Sequence, residues 1–171
     1  MAAMTRRQAR EAVFELLFET EFDGDRTPEQ VLALAKEDRN LGEDGYVEAT
    51  YLGAMAHRPV LDVLLSKFSH GWKTDRMSRV SRAILRLATY EMLYCKDIPA
   101  NVSLNEAVEL TKKFDDPKAR AFVNGVLNSI KNEIAATGAE TVIANCEAAL
   151  AEAEVVEPIA ESTDEPSEAD E

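Results

Sequence analysis

The sequence predicts an all-α protein of about seven helices, followed by an acidic C-terminal extension. Three observations carry this. Apolar residues recur at helical spacing in successive segments. Helix-start signals punctuate them. Glycine and proline are sparse, at seven and six in 171 residues, which disfavours a turn-rich sheet protein. A chain of this length, 46% apolar, can bury roughly two thirds of its unfolded surface and so can fill a core.

The first helix should open at Thr5, where Thr5-Arg6-Arg7-Gln8 fits a capping box. Ala9, Val13, Phe14, Leu16, Leu17 and Phe18 carry it to about Phe22, before Asp23-Gly24. Thr27-Pro28-Glu29-Gln30 is a second capping box with proline at the first helical position. A third helix is expected from Asp44 to His57, stopping before Pro59. A fourth carries Val60, Leu61, Leu64, Leu65 and Phe68 and ends near Gly71.

After Trp72, a long segment from about Thr74 to Cys95 has apolar residues on more than one narrow stripe, as expected of a central helix packed by several neighbours. Asp97-Ile98-Pro99 breaks it. Ser103-Leu104-Asn105-Glu106 reads as a third capping box, opening a helix to about Phe114. Asp116-Pro117 should start the next, with Asp116 as cap. That helix holds Phe122, Val123, Val126, Leu127 and Ile130, and Gly138 is a natural stop. Within it, Gly125 suggests close helix packing. The expected organisation is a domain over 1–137 and an acidic extension over 138–171. The extension allows a helix over 139–155, and disorder is expected beyond Glu157.

Net charge is −13, yet its distribution matters more than its total. All 19 Lys and Arg lie between Arg6 and Lys131, against 21 acids up to residue 133, a net of −2. From 134 onward there are eleven acids and no base. The body is nearly neutral, so local basic patches decide what it binds. The two cysteines, Cys95 and Cys146, and the two histidines, His57 and His70, form no zinc pattern and read as bystanders. No apolar run approaches a membrane span and no secretory leader is evident, so a soluble, cytoplasmic protein without cofactor or membrane is expected. No linear nucleophile–base arrangement or glycine-rich cofactor loop invites an enzymatic reading.

The cations are more informative. Arg6, Arg7 and Arg10 fall in the first turns of a helix, where each opposes the helix dipole by about 0.3–1 kcal/mol if exposed. That placement favours anion binding slightly over a solvated face with an Arg7–Glu11 pair. A second cluster, Lys112, Lys113, Lys118 and Arg120, spans the Asp115-Asp116-Pro117 turn and is followed by Phe122. Cations beside an aromatic ring suit single-stranded RNA, tracking phosphates while the ring stacks a base. Core packing of Phe122 and a plain charged helix connection are the competing readings. Arg79, Arg82 and Arg86 share a face of the central helix. Arg86, set in the apolar stretch, reads as a pair-former. The other two, with Arg76, read as partner-facing or solvated.

Four segments resemble the NusB family: Arg6-Arg7-Gln8-Ala9-Arg10-Glu11, the run Arg82 to Glu91, Asp97-Ile98-Pro99 with Asn105 to Leu110, and Phe122 to Leu127. They occur in family order over residues 5 to about 133. The resemblance implies two helical subdomains packed together. It implies a non-enzymatic transcription antitermination factor that binds boxA RNA of ribosomal RNA leader transcripts with NusE, a small-subunit ribosomal protein. Other Nus factors and RNA polymerase would be further partners. By position, Arg6, Arg7 and Arg10 match the RNA-binding arginines, and Phe122 an aromatic of the RNA surface. Lys113, Lys118 and Arg120 are candidate RNA contacts beside it. The NusE surface is expected around Arg79, Ser81 and Arg82, with Ser81 departing from an acidic residue found in some members. The alternatives are a helical protein–protein module or homodimer, and a stand-alone relative of the RNA-binding domain of ribosomal RNA cytosine methyltransferases.

Overall fold

The computed structural model describes residues 3–69 and 77–156, with side chains to residue 153. Among them are eight helices and no strand: α1 (Arg6–Thr20), α2 (Pro28–Asp38), α3 (Tyr46–Ala56), α4 (Arg58–Phe68), α5 (Arg79–Tyr94), α6 (Ala100–Phe114), α7 (Ala119–Thr137) and α8 (Ala139–Val156). The expectations for His70, Gly71, Trp72, Thr74, Arg76 and the segment beyond Glu157 lie outside the described residues.

Local chemistry sets most of the helix starts. Thr5 and Thr27 form complete capping boxes: Gln8 N and Gln30 N donate to the threonine hydroxyls, and the glutamine side chains accept the threonine N–H groups at 2.8 and 2.9 Å. Gly138, at φ 87°, ends α7 by donating its N–H to the Ile134 carbonyl at 2.8 Å.

Three expected starts move. Helix α5 opens at Arg79 rather than near Thr74, because Ser78 caps it by accepting the Ser81 N–H at 3.0 Å. Helix α6 opens at Ala100, behind Pro99, and the Ser103 N–H already donates to the Pro99 carbonyl at 3.3 Å. Ser103 is therefore an interior residue buried against the core, not a cap. Asp116 accepts the Lys118 N–H at 2.9 Å and so orders a turn containing Pro117, with α7 proper beginning two residues later.

Helices α1, α2 and α3 pack on one another, α4, α5, α7 and α8 pack on one another with α6 against α5 and α7, and α5 touches α1, α3, α4, α6, α7 and α8. Its buried residues Ile84, Leu85, Leu87, Ala88 and Leu93 face these neighbours on several sides, which is why its apolar pattern is broad. One contiguous core joins both groups. Arg86 is the pair-former expected: it makes a fork with Asp62 at 2.8 and 2.9 Å and also meets Glu21, which Arg82 reaches at 3.1 Å.

The close glycine contact lies elsewhere than expected. A Cβ at Gly125 would meet nothing within 4 Å, whereas one at Gly53 would overlap the Tyr90 ring and hydroxyl, where α3 crosses α5. Helix α8 adds to the core, with Val142 and Cys146 buried against α4, α5 and α7. None of the helices described is long and apolar enough to cross a membrane.

Candidate nucleic-acid interface

The first two turns of α1 carry three arginines that meet three different environments. Arg6 is about half exposed. Its Nη1 lies 3.3 Å from Asp44, and its guanidinium carbon sits 4.2 Å from the Tyr46 ring centroid. Arg7 is two-thirds exposed, with Nε and Nη2 forming a fork on Glu106 of α6 at 3.1 and 2.9 Å. Arg10 points inward. Its side chain is 7% exposed, and Nε donates to both oxygens of Glu91 at 3.0 and 3.1 Å. Tyr46 Oη donates to the same carboxylate at 3.1 Å. Arg10 therefore does not present a cation to solvent. The reason is helical geometry: Ala9, Arg10, Val13 and Phe14 lie on the inward side of α1.

The side of α1 that carries Arg7, Glu11 and Phe14 faces α6. Glu11 does not pair with Arg7; it takes Lys113 at 2.7 Å. Phe14 and Phe114 pack with ring centroids 4.8 Å apart, holding the two helices together. On α6, Lys112 bonds Glu109 at 3.1 Å and holds that carboxyl below its ordinary range, with Arg7 and Arg120 contributing. Glu109 thus lies within the field of cations from both clusters, and α6 is the strip that connects them. From Glu106 to Asp115 that strip spans roughly 14 Å.

At the far end of the strip, Lys118 and Arg120 are exposed and Phe122 is half-buried. Phe122 packs against the core and also lines a pocket of about 250 Å³ with Met77, Ser78, Ser81, Asp115 and Lys118. Its ring is neither purely internal nor fully displayed. It forms a wall of that pocket beside Lys118.

The central-helix residues divide. Ser81 is buried, with Oγ donating to Asp115, so it does not present itself as a surface contact. Ser78 Oγ donates to the same carboxylate at 3.0 Å. Arg82 is mostly covered beside Glu21. Arg79 is exposed, 4.5 Å over the ring of Phe22, which is itself 59% exposed. The sequence reading gave Phe22 only as a helix end. An apolar ring just past the end of α1 was the available signal. It also missed Tyr46, Glu91 and Glu106. Glu91, an acid inside an apolar run, had to have an internal partner. Cys95 and Cys146 are free. Burial, with Glu91 nearby, pushes the Cys95 thiol up to about 11, so it is held protonated and unreactive.

Residues 7–132 match the model of the NusB family. The chain belongs to the NusB family. Its curated relatives include the transcription antitermination protein NusB of Bacillus subtilis (strain 168), 45% identical over 131 residues covering 77% of this chain and 98% of that protein. The same-named protein of Bacillus velezensis is 47% identical with the same coverage. Among solved structures, NusB of T. maritima superposes with a TM-score of 0.70 at 36% identity, covering 77% of this chain and 94% of that one. A crystal structure of antitermination factors NusB and NusE in complex with dsRNA matches with a TM-score of 0.67 at 28% identity, covering 75% of this chain and 96% of that chain. The NusB match ends before α8, so the helix that adds Val142 and Cys146 to the core lies beyond it.

Proposed function

We propose that this chain is a transcription antitermination factor that binds boxA RNA of ribosomal RNA leader transcripts together with NusE. In the cytoplasm it would join other Nus factors and RNA polymerase to suppress premature termination. The carrying observation is the exposed pair Arg6 and Arg7 on α1, continued along α6 and α7 by Lys113, Lys118 and Arg120 to the half-buried Phe122. Cations at the start of a helix oppose its dipole, so their placement there needs a reason beyond stability, and phosphate binding supplies one. The RNA backbone would follow this strip, with one base against Phe122 beside Lys118.

Arg7 and Lys113 already hold carboxylates. Phosphates would displace or share these partners, which makes the interaction electrostatic and exchangeable rather than deeply desolvated. NusE would meet the surface around Arg79 and Phe22, where a cation and an exposed aromatic stand together. Residues 1–137 would form the binding unit, and 138–171 the acidic extension.

The test is titration of boxA RNA with and without NusE, at two salt concentrations. Arg6→Ala and Arg7→Ala should each weaken binding and flatten its salt dependence, because fewer counterions are released. Equal affinity of the doubly substituted chain and the unaltered one would refute the assignment.

A further inference from the structure

We infer that Tyr46 is a positioning residue for RNA binding: it seats the Arg6 guanidinium and ties that seat to the buried Arg10–Glu91 pair. Tyr46 opens α3, after Gly45 at φ 77°, a turn that delivers its ring to the start of α1. The ring lies beneath Arg6 at 4.2 Å, and the hydroxyl donates to Glu91 at 3.1 Å. Asp44 completes the seat. One of its oxygens accepts the Tyr46 N–H at 3.1 Å and the other meets Arg6 Nη1 at 3.3 Å. Arg6 thus has a ring on its face and a carboxylate at its edge, while remaining about half exposed.

The consequence follows from side-chain entropy. A free arginine loses rotamer freedom when it closes on a phosphate, and a ring already beneath it removes part of that loss. Arg10 then contributes to binding without touching RNA. It fixes Glu91, Glu91 fixes the Tyr46 hydroxyl, and Tyr46 fixes Arg6. Three helices, α1, α3 and α5, meet in this relay.

The inference rests on the RNA-binding reading, and a double-substitution cycle separates the two. Affinity for boxA RNA in the presence of NusE is measured for the unaltered chain, Y46L, Y46F, R6A and the Y46L/R6A pair. Y46L should lose about as much affinity as R6A, roughly three- to tenfold, and should cost less than about twofold more in the R6A background. Y46F, which keeps the ring but loses the hydroxyl bond to Glu91, should bind more weakly than the unaltered chain and more tightly than Y46L. A Y46L loss of equal size in both backgrounds, or none in either, overturns the role. The Arg6 Nε–Hε signal of the unaltered protein is a readout that needs no variant and no RNA. Seating predicts an ordered resonance displaced by the Tyr46 ring current, and a signal at the free-arginine position contradicts it. A seated Arg6 in a chain that binds no RNA would refute the RNA reading and this role of Tyr46 while leaving the seat itself intact.

Discussion

Arg7 and Arg10 stand three residues apart on one helix, each bonded to a glutamate of another helix, and do opposite work. In the Arg7–Glu106 fork the guanidinium stands mostly in solvent, although the Glu106 side chain is largely covered, so the arginine can exchange this partner for a phosphate. The Arg10–Glu91 pair is almost fully enclosed, with Tyr46 as a third member. Removing one partner there strands a charge in a poorly solvated site. The difference is set by which side of α1 each residue occupies, not by residue type. A run of arginines is therefore a mixture: its outward members can bind, and its inward member holds the scaffold on which they stand.

The largest expected effect tests the inward half. Arg10→Ala should destabilise the fold by about 3–5 kcal/mol, seen as a fall in Tm of roughly 10 °C. A near-neutral result would mean Glu91 finds another partner and the relay through Tyr46 is dispensable. Next, Gly53→Ala places a methyl group on the Tyr90 hydroxyl and ring edge, so the Tyr90 side chain must move, costing about 1–3 kcal/mol in chemical denaturation. The outward half comes third. Arg6→Ala and Arg7→Ala should leave Tm nearly unchanged while each weakens RNA binding roughly three- to tenfold. Breaking the exposed Lys113–Glu11 pair with Glu11→Gln should change stability by less than about 1 kcal/mol.

The smallest effects are pH-dependent, and two carboxyls give opposite signs. Glu109, held low by Lys112, favours the folded state at neutral pH, and that contribution is lost as pH falls through its folded value. Glu15 is held high by burial and by Glu11, so its ionisation opposes folding as pH rises through its folded value. Glu15→Gln should therefore raise Tm slightly at neutral pH, and Glu109→Gln should lower it slightly. Melting curves of the two variants from pH 4 to 7 would show the divergence.

Much of the fold was legible because its signals are local. Thr5, Thr27 and Gly138 act through residues three or four positions away, and the structure uses all three as read. Ser103 shows where local reading fails. Its motif suits a helix start, but Pro99 had already begun the helix, and the Ser103 side chain faces the core. Gly125 and Gly53 make the same point for packing, since what crosses a glycine depends on another helix. In the candidate site, Arg6, Arg7, Lys118, Arg120 and half-buried Phe122 could be selected from charge and aromatic placement. The burial of Arg10 and Ser81 could not, because their partners Glu91 and Asp115 lie 81 and 34 residues away. Separation in sequence also hid Tyr46, whose significance comes from the arginine above its ring and from Glu91, 45 residues away.

The most direct measurement is the slope of boxA RNA affinity against salt for the Arg7→Ala and Arg10→Ala chains, compared under conditions where both are folded. With Arg7 removed, one phosphate contact should disappear and the logarithmic slope should fall by about 0.7–0.9. With Arg10 removed, the slope should stay that of the unaltered chain, whatever happens to Tm. A reduced slope for Arg10→Ala with an unchanged one for Arg7→Ala would contradict the division of the arginines into an outward binding face and an inward scaffold.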